Sequence, residues 1–218
     1  MTQKRYQAAI FDLDGVIADT ARYHYLAWKD LANRLGFLFT EEDGEAIKGV
    51  ARMEALDVVL RVGGMAARFT PAEKERMARE KNDLYISHIS TLDESALLPG
   101  TLTLLPELRR RGIKIGLGSA SRNARIILEA THILNLFDAI ADGTRAKHAK
   151  PNPEVFLIAA RDLGILPSDC VVFEDAFTGI EAAHNGGMFA QGIGSRENLP
   201  NADAVVKDLS AFDPDSLF

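Results

Sequence analysis

Six short apolar segments punctuate the 218-residue chain, at 8-11 (AAIF), 113-118 (IKIGLG), 138-141 (DAIA), 171-173 (VVF), 189-194 (FAQGIG) and 203-206 (DAVV). Helical patterns separate the later ones. In PNPEVFLIAARDLG, Asn152 can cap, Pro153 suits the first helical position and Gly164 closes the end. Strand and helix in alternation specify a doubly wound, parallel, Rossmann-like α/β sheet. One interval breaks the rhythm. A crossover needs only about a dozen residues, yet residues 12 to 112 separate the first two strands, so a second unit is inserted there.

That insert reads as helical. His24, Trp28, Leu31 and Leu35 share one helix face, Thr70-Pro71-Ala72-Glu73 has the form of a capping box opening a helix to about Ile89, and RMEALDVVLRVGG supplies another helix with a glycine stop. No strand pattern falls between 20 and 92. The expected organisation is an α/β core at 1-17 and 93-218 with a helical-bundle cap at 18-92. Pro106, inside SALLPGTLTLLPELRRRG, predicts a helix that begins late or bends.

Composition narrows the function. The net charge of -6 with scattered Lys and Arg disfavours a nucleic-acid partner. A single Cys170 excludes an internal disulfide or a cysteine metal cluster and fits a reducing compartment. No run reaches the length of a signal peptide core or a membrane span, so the expectation is a cytoplasmic protein without a membrane partner.

Ligands of open α/β sheets bind at the carboxyl ends of the strands. There, AAIF runs into Asp12-Leu13-Asp14-Gly15, IKIGLG into Ser119-Ala120-Ser121-Arg122-Asn123, and VVF into Glu174-Asp175. Each has a purely structural alternative: a turn cap for Asp12, a helix-start acid pair for Glu174-Asp175, an N-cap for Ser119 and an exposed loop lysine for Lys150. Independent decorations have no reason to share one edge. Carboxylates grouped so closely repel by several kcal/mol at an effective dielectric of about 20. A hard cation relieves this, and Mg²⁺ characteristically shares carboxylates with a phosphate. The phosphate in turn calls for the Ser119 hydroxyl, helix-start N-H groups and Lys150. Carboxylate nucleophile, cation, hydroxyl and lysine together describe phosphoryl transfer through an aspartyl phosphate.

With these motifs the sequence resembles the haloacid dehalogenase superfamily: FDLDGV its first motif, Ser119 its second, Lys150 in KPNPEVF its third and FEDAFTGIEAA its fourth. The resemblance implies Asp12 as nucleophile, Asp14 as general acid and base, and Mg²⁺ held by Asp12, the Asp14 carbonyl and Asp175 with Glu174 alongside. Within the insert, DTARYHYLAW, IKGVAR and REKNDLY resemble the β-phosphoglucomutase family. That likeness implies interconversion of β-glucose 1-phosphate and glucose 6-phosphate through β-glucose 1,6-bisphosphate, with a small sugar phosphate as partner; a monomer is the expected form. It also implies Thr20 at the hinge, His24 and Lys81 near the aspartates, Lys48, Gly49 and Val50 on the sugar, and Arg52 with Ser121, Arg122 and Asn123 on the phosphate that is not reacting. A mutase needs that second site, and planar cations suit it. The chain departs from the pattern at Ala51 and Ala55, where serines are common, at Arg122 for a frequent lysine, and at Ala176 for serine. A sugar-phosphate phosphatase of the same fold remains the alternative, and a phospho-acceptor switch a more distant one.

Overall fold

A computed structural model describes residues 6-47 and 50-218. Strands form where the apolar segments predict them: β1 (Ala8–Phe11), β2 (Lys114–Gly118), β3 (Ala139–Ala141), β4 (Cys170–Glu174), β5 (Phe189–Ile193) and β6 (Ala204–Val206). All neighbours are parallel, in the order β3-β2-β1-β4-β5-β6. Ile10 pairs with Gly116 on one side and Val172 on the other. The winding reverses at β1, so the crevice for a ligand opens at the carboxyl ends of β1, β2 and β4.

Alternation along the strands feeds two cores. Ala9, Phe11, Leu117, Val171 and Phe173 face α5 (Thr101–Arg110) and α6 (Ala124–Ala130) on one side of the sheet. Ala8, Ile10, Cys170 and Val172 face α7 (Glu154–Leu163) and α8 (Phe177–Asn185) on the other. The second layer sits so close that a Cβ at Gly118 would lie 2.4 Å from the Phe156 ring. Glycine there lets β2 carry α7 at full contact.

The segment between β1 and β2 is helical among the described residues: α1 (Ala21–Leu35), α2 (Glu41–Glu45), α3 (Arg52–Val62) and α4 (Pro71–Ile89). Thr70 and Glu73 form the expected capping box, each side chain bonding the other's backbone N-H. Trp28, Leu31, Leu56, Val59, Leu60 and Met77 build an apolar cluster of the insert's own. A separate core is what allows an insert to move as a unit. Its two connections run side by side: Asp19 N-H donates to the Ala96 carbonyl and Leu98 N-H to the Ile17 carbonyl, both at 2.9 Å.

Two local expectations shift. Pro153 is the N-cap of α7 rather than its first helical residue, although Asn152 still caps, accepting from Glu154 N-H at 3.0 Å. α5 neither starts late nor ends at Pro106. The ring lies on the exposed face, and the Leu102 carbonyl it leaves without a helical partner sits on an exposed residue, where water can take the place of the missing N-H.

Candidate active site

Asp12 follows β1 directly, its N-H donating to the Phe173 carbonyl at 2.9 Å, and is only 7% exposed. The chain then turns at Gly15, whose φ of +83° puts it in the left-handed region. The same residue touches the far side of the crevice, since a Cβ there would lie 2.1 Å from Asp175 Oδ2. The glycine of the Asp-x-Asp-Gly motif thus lets the β1 and β4 loops meet. From the loop before α7, Lys150 Nζ donates to Asp12 Oδ1 at 2.7 Å and to Glu174 Oε1 at 2.6 Å. Glu174 accepts on its other oxygen from Ala176 N-H at 2.9 Å. Ser119, wholly buried beyond β2, accepts from Ser121 N-H at 3.1 Å and keeps its hydroxyl proton for another acceptor.

Carboxylate oxygens of Asp12, Glu174 and Asp175 all come within 4.8 Å of one another. Burial raises the Asp12 carboxyl to about 7, against the pull of Lys150, and raises Asp175 to about 8 with Glu174 and Asp12 adding to it. Lys150, itself held charged by its two partners, cannot balance three acids. The donors are hard oxygens and the deficit is positive charge, which is the demand that a small divalent cation meets. The Asp14 side chain is not among these donors. It takes the Thr20 hydroxyl hydrogen bond instead, and burial raises its carboxyl too.

These shifts set a pH dependence for the metal-free protein. From about pH 4 to 8 the native state keeps protons on Asp12 and Asp175 that the unfolded chain has released, so stability falls as pH rises through that window. A divalent cation competes with the same protons. The rise in melting temperature on adding Mg²⁺ is therefore expected to be small at about pH 5 and largest near pH 8. A rise that is flat across that range would contradict the assignment.

The helical insert closes the other side. Lys81, only 2% exposed, lies against the Trp28 and Tyr85 rings at 4.5 and 4.9 Å and meets His24 Nδ1 at 2.8 Å. Burial and Arg52 push the lysine down to about 7, while burial and Lys81 hold His24 well below the usual imidazole range. A neutral His24 accepting from Lys81 fits both directions. The lysine is thus buried rather than solvated, and the histidine is packed against Tyr85. Asp14 favours the charged lysine and faces this pair from the core.

Arg52 and Arg122 border a cavity of about 210 Å³ together with Met53, Glu75, Ala78 and Arg79. Burial, with the neighbouring Arg122 adding to it and Asp83 opposing it, lowers the Arg52 guanidinium. Asn123 is buried, its N-H donating to Ser121 Oγ at 3.2 Å and its amide to Asn82 Oδ1 on α4 at 2.9 Å. Val50 packs against the insert's apolar cluster. Lys48 and Gly49 lie outside the described residues. Sequence reasoning passed over Arg79, Asn82 and Tyr85. Ala78, Lys81, Asn82 and Tyr85 stand at i, i+3, i+4 and i+7, a spacing that puts them on the face of α4 turned to the core.

A model of the haloacid dehalogenase-like hydrolases matches residues 6–187. The chain is 45% identical over 204 residues to the β-phosphoglucomutase of Bacillus subtilis (strain 168), covering 94% of this chain and 90% of that protein. The chain belongs to the β-phosphoglucomutase family of haloacid dehalogenase-like hydrolases. A crystal structure of β-phosphoglucomutase from Clostridium difficile superimposes with a TM-score of 0.91 at 44% identity, covering 95% of this chain and 93% of that one. Family likeness also extends to a fructose-1-phosphate phosphatase of Escherichia coli (strain K12), 32% identical over 187 residues, 86% of this chain and 96% of that protein. The parallel sheet, the strand-end acids and the helical insert are thus the family's architecture carried by this chain.

Proposed function

We propose that the chain interconverts β-glucose 1-phosphate and glucose 6-phosphate, with Asp12 as the phosphoryl carrier and Asp14 as the proton carrier. The observation behind it is the cavity between Arg52 and Arg122, a second cationic pocket on a protein whose reacting acids and Lys150 lie elsewhere. A phosphatase needs one phosphate site; a mutase needs two. Asp12, phosphorylated on a carboxylate oxygen, presents the group to the C6 hydroxyl of β-glucose 1-phosphate while Asp14 accepts the hydroxyl proton. β-Glucose 1,6-bisphosphate then turns end for end, and Asp12 takes the C1 phosphate as Asp14 returns its proton to the leaving oxygen. Glucose 6-phosphate results. Ser119 and Lys150 hold the transferring group, and Ser121, Arg122, Asn123 and Arg52 hold the other.

Mg²⁺, bound by Asp12, Asp175 and the Asp14 carbonyl with Glu174 alongside, would supply charge neutralisation at the phosphoryl oxygens. The insert, with Thr20 at its hinge, shields the aspartyl phosphate from water, and Lys48, Gly49 and Val50 with His24 and Lys81 meet the sugar. A small sugar phosphate is the partner, β-glucose 1,6-bisphosphate the activator, and a cytoplasmic monomer the working form; no described helix is long and apolar enough to cross a membrane.

The similarity to a sugar-phosphate phosphatase favours a second reading, in which water takes the group from Asp12. Incubation with β-glucose 1-phosphate, Mg²⁺ and a trace of bisphosphate separates them. Glucose 6-phosphate in large excess over free phosphate is expected. Mostly free phosphate would favour the phosphatase.

A further inference from the structure

Lys150 reaches the site from a loop, and a lysine carries its charge at the end of a flexible stem. Its position depends on the partners of its ammonium and on the backbone at its root. The partners change during turnover, since Asp12 carries the phosphoryl group in one part of the cycle and not in the other. The root stays the same.

That root is held on both sides. Glu154, in the first turn of α7, accepts on Oε2 from the backbone N-H of Lys147 at 2.8 Å and of His148 at 2.7 Å. Next along, Asn152 N-H donates to the Ala149 carbonyl at 2.9 Å. Beyond Lys150, the side-chain amide of Asn185, which ends α8, donates to the Pro151 carbonyl at 3.0 Å. An acid at a helix start serves the helix dipole without touching anything. Glu154 turns back along the chain and takes N-H groups that lie outside any helix or strand and need an acceptor. The His148 N-H leads the contacts that hold its carboxyl below the usual carboxylate range. The His148 ring adds a contact at 3.0 Å, but its side chain is 67% exposed and such a rim pair weighs little.

We infer that Glu154 is a positioning residue for Lys150: by gripping the Lys147 and His148 N-H groups it fixes the loop from which the lysine reaches Asp12, Glu174 and the transferring phosphoryl group. Without that grip the loop keeps its anchors at Ala149 and Pro151 but loses the one that sets its approach. The ammonium then starts from a root free to drift, and a misplacement of about 1 Å is enough to cost much of the rate.

The inference rests on Lys150 acting on the phosphoryl group, so its test begins with two controls: wild-type protein that converts β-glucose 1-phosphate and a Lys150→Met variant that does so far more slowly. Failure of either control is a failure of the proposed function and withdraws both. With the controls met and assays run well below each melting temperature, Glu154→Ala is expected to lower kcat at least about tenfold. KM for β-glucose 1-phosphate should stay within about threefold, because Lys150 holds the group on Asp12 and not the incoming sugar. Glu154→Gln, which keeps an acceptor oxygen for both N-H groups, should restore kcat to within about threefold of wild type. His148→Ala should leave kcat within about twofold, as an exposed pair predicts. In the Lys150→Met background, Glu154→Ala should have no further effect on the residual rate, as action through a shared residue requires. A kcat within about twofold of wild type in Glu154→Ala overturns the inference, whatever happens to the melting temperature. So does a Glu154→Gln no faster than Glu154→Ala, which would put the effect in the charge and not in the grip on the loop. An undiminished effect in the Lys150→Met background also overturns it, since Glu154 would then act through something other than the lysine.

Discussion

Asp12→Asn is expected to lower turnover of β-glucose 1-phosphate by about 10⁴-fold or more, the scale on which removing an attacking group acts when the rest of the site is intact. The substitution keeps the shape of a side chain that is 7% exposed and whose backbone is tied to Phe173, so folding should survive. An amide cannot carry the phosphoryl group, and it also removes the negative charge of one of the three acids in the cluster. Steady-state rates with bisphosphate present give the measurement. Residual activity within tenfold of wild type would remove Asp12 from the chemistry, and with it the whole reading of the strand-end acids.

The second large effect falls on stability. Lys150→Ala should destabilise the metal-free protein by about 3–5 kcal/mol at neutral pH, the cost of breaking a buried ion pair from one side. Its ammonium is 4% exposed and lies 2.7 Å from Asp12 and 2.6 Å from Glu174, which are nearly as inaccessible. Removing it leaves both acids unmatched. The loss should shrink as the pH falls through about 7, because Asp12 can then take up a proton in place of the lysine. Urea unfolding at two pH values checks both claims. A loss below about 1 kcal/mol at neutral pH would make Lys150 an ordinary surface lysine.

Much of this was readable from sequence because the signals were local. Apolar segments with the right residue types formed all six strands, and the capping box at Thr70 opened its helix as written. Asp12, Ser119 and Glu174-Asp175 could be grouped because a doubly wound sheet fixes which strand ends adjoin. Lys150 followed from chemistry rather than pattern, as the group such acids need. What escaped depended on contact between distant segments. Asn82 looks like any polar helix residue until its amide meets Asn123, and Tyr85 looks like core packing until its ring is found stacked on His24. Pro106 misled for the opposite reason, since a local rule against proline was overridden by exposure of the helix face that carries it.

The central claim is that the group on Asp12 goes to a sugar and not to water. Label from β-[³²P]glucose 1,6-bisphosphate can be loaded onto Asp12, and the enzyme then chased with unlabelled β-glucose 1-phosphate and quenched in acid. The account predicts that the label leaves the protein within one turnover and appears on glucose 6-phosphate, with little as inorganic phosphate. Release as inorganic phosphate at a rate indifferent to the sugar would contradict it.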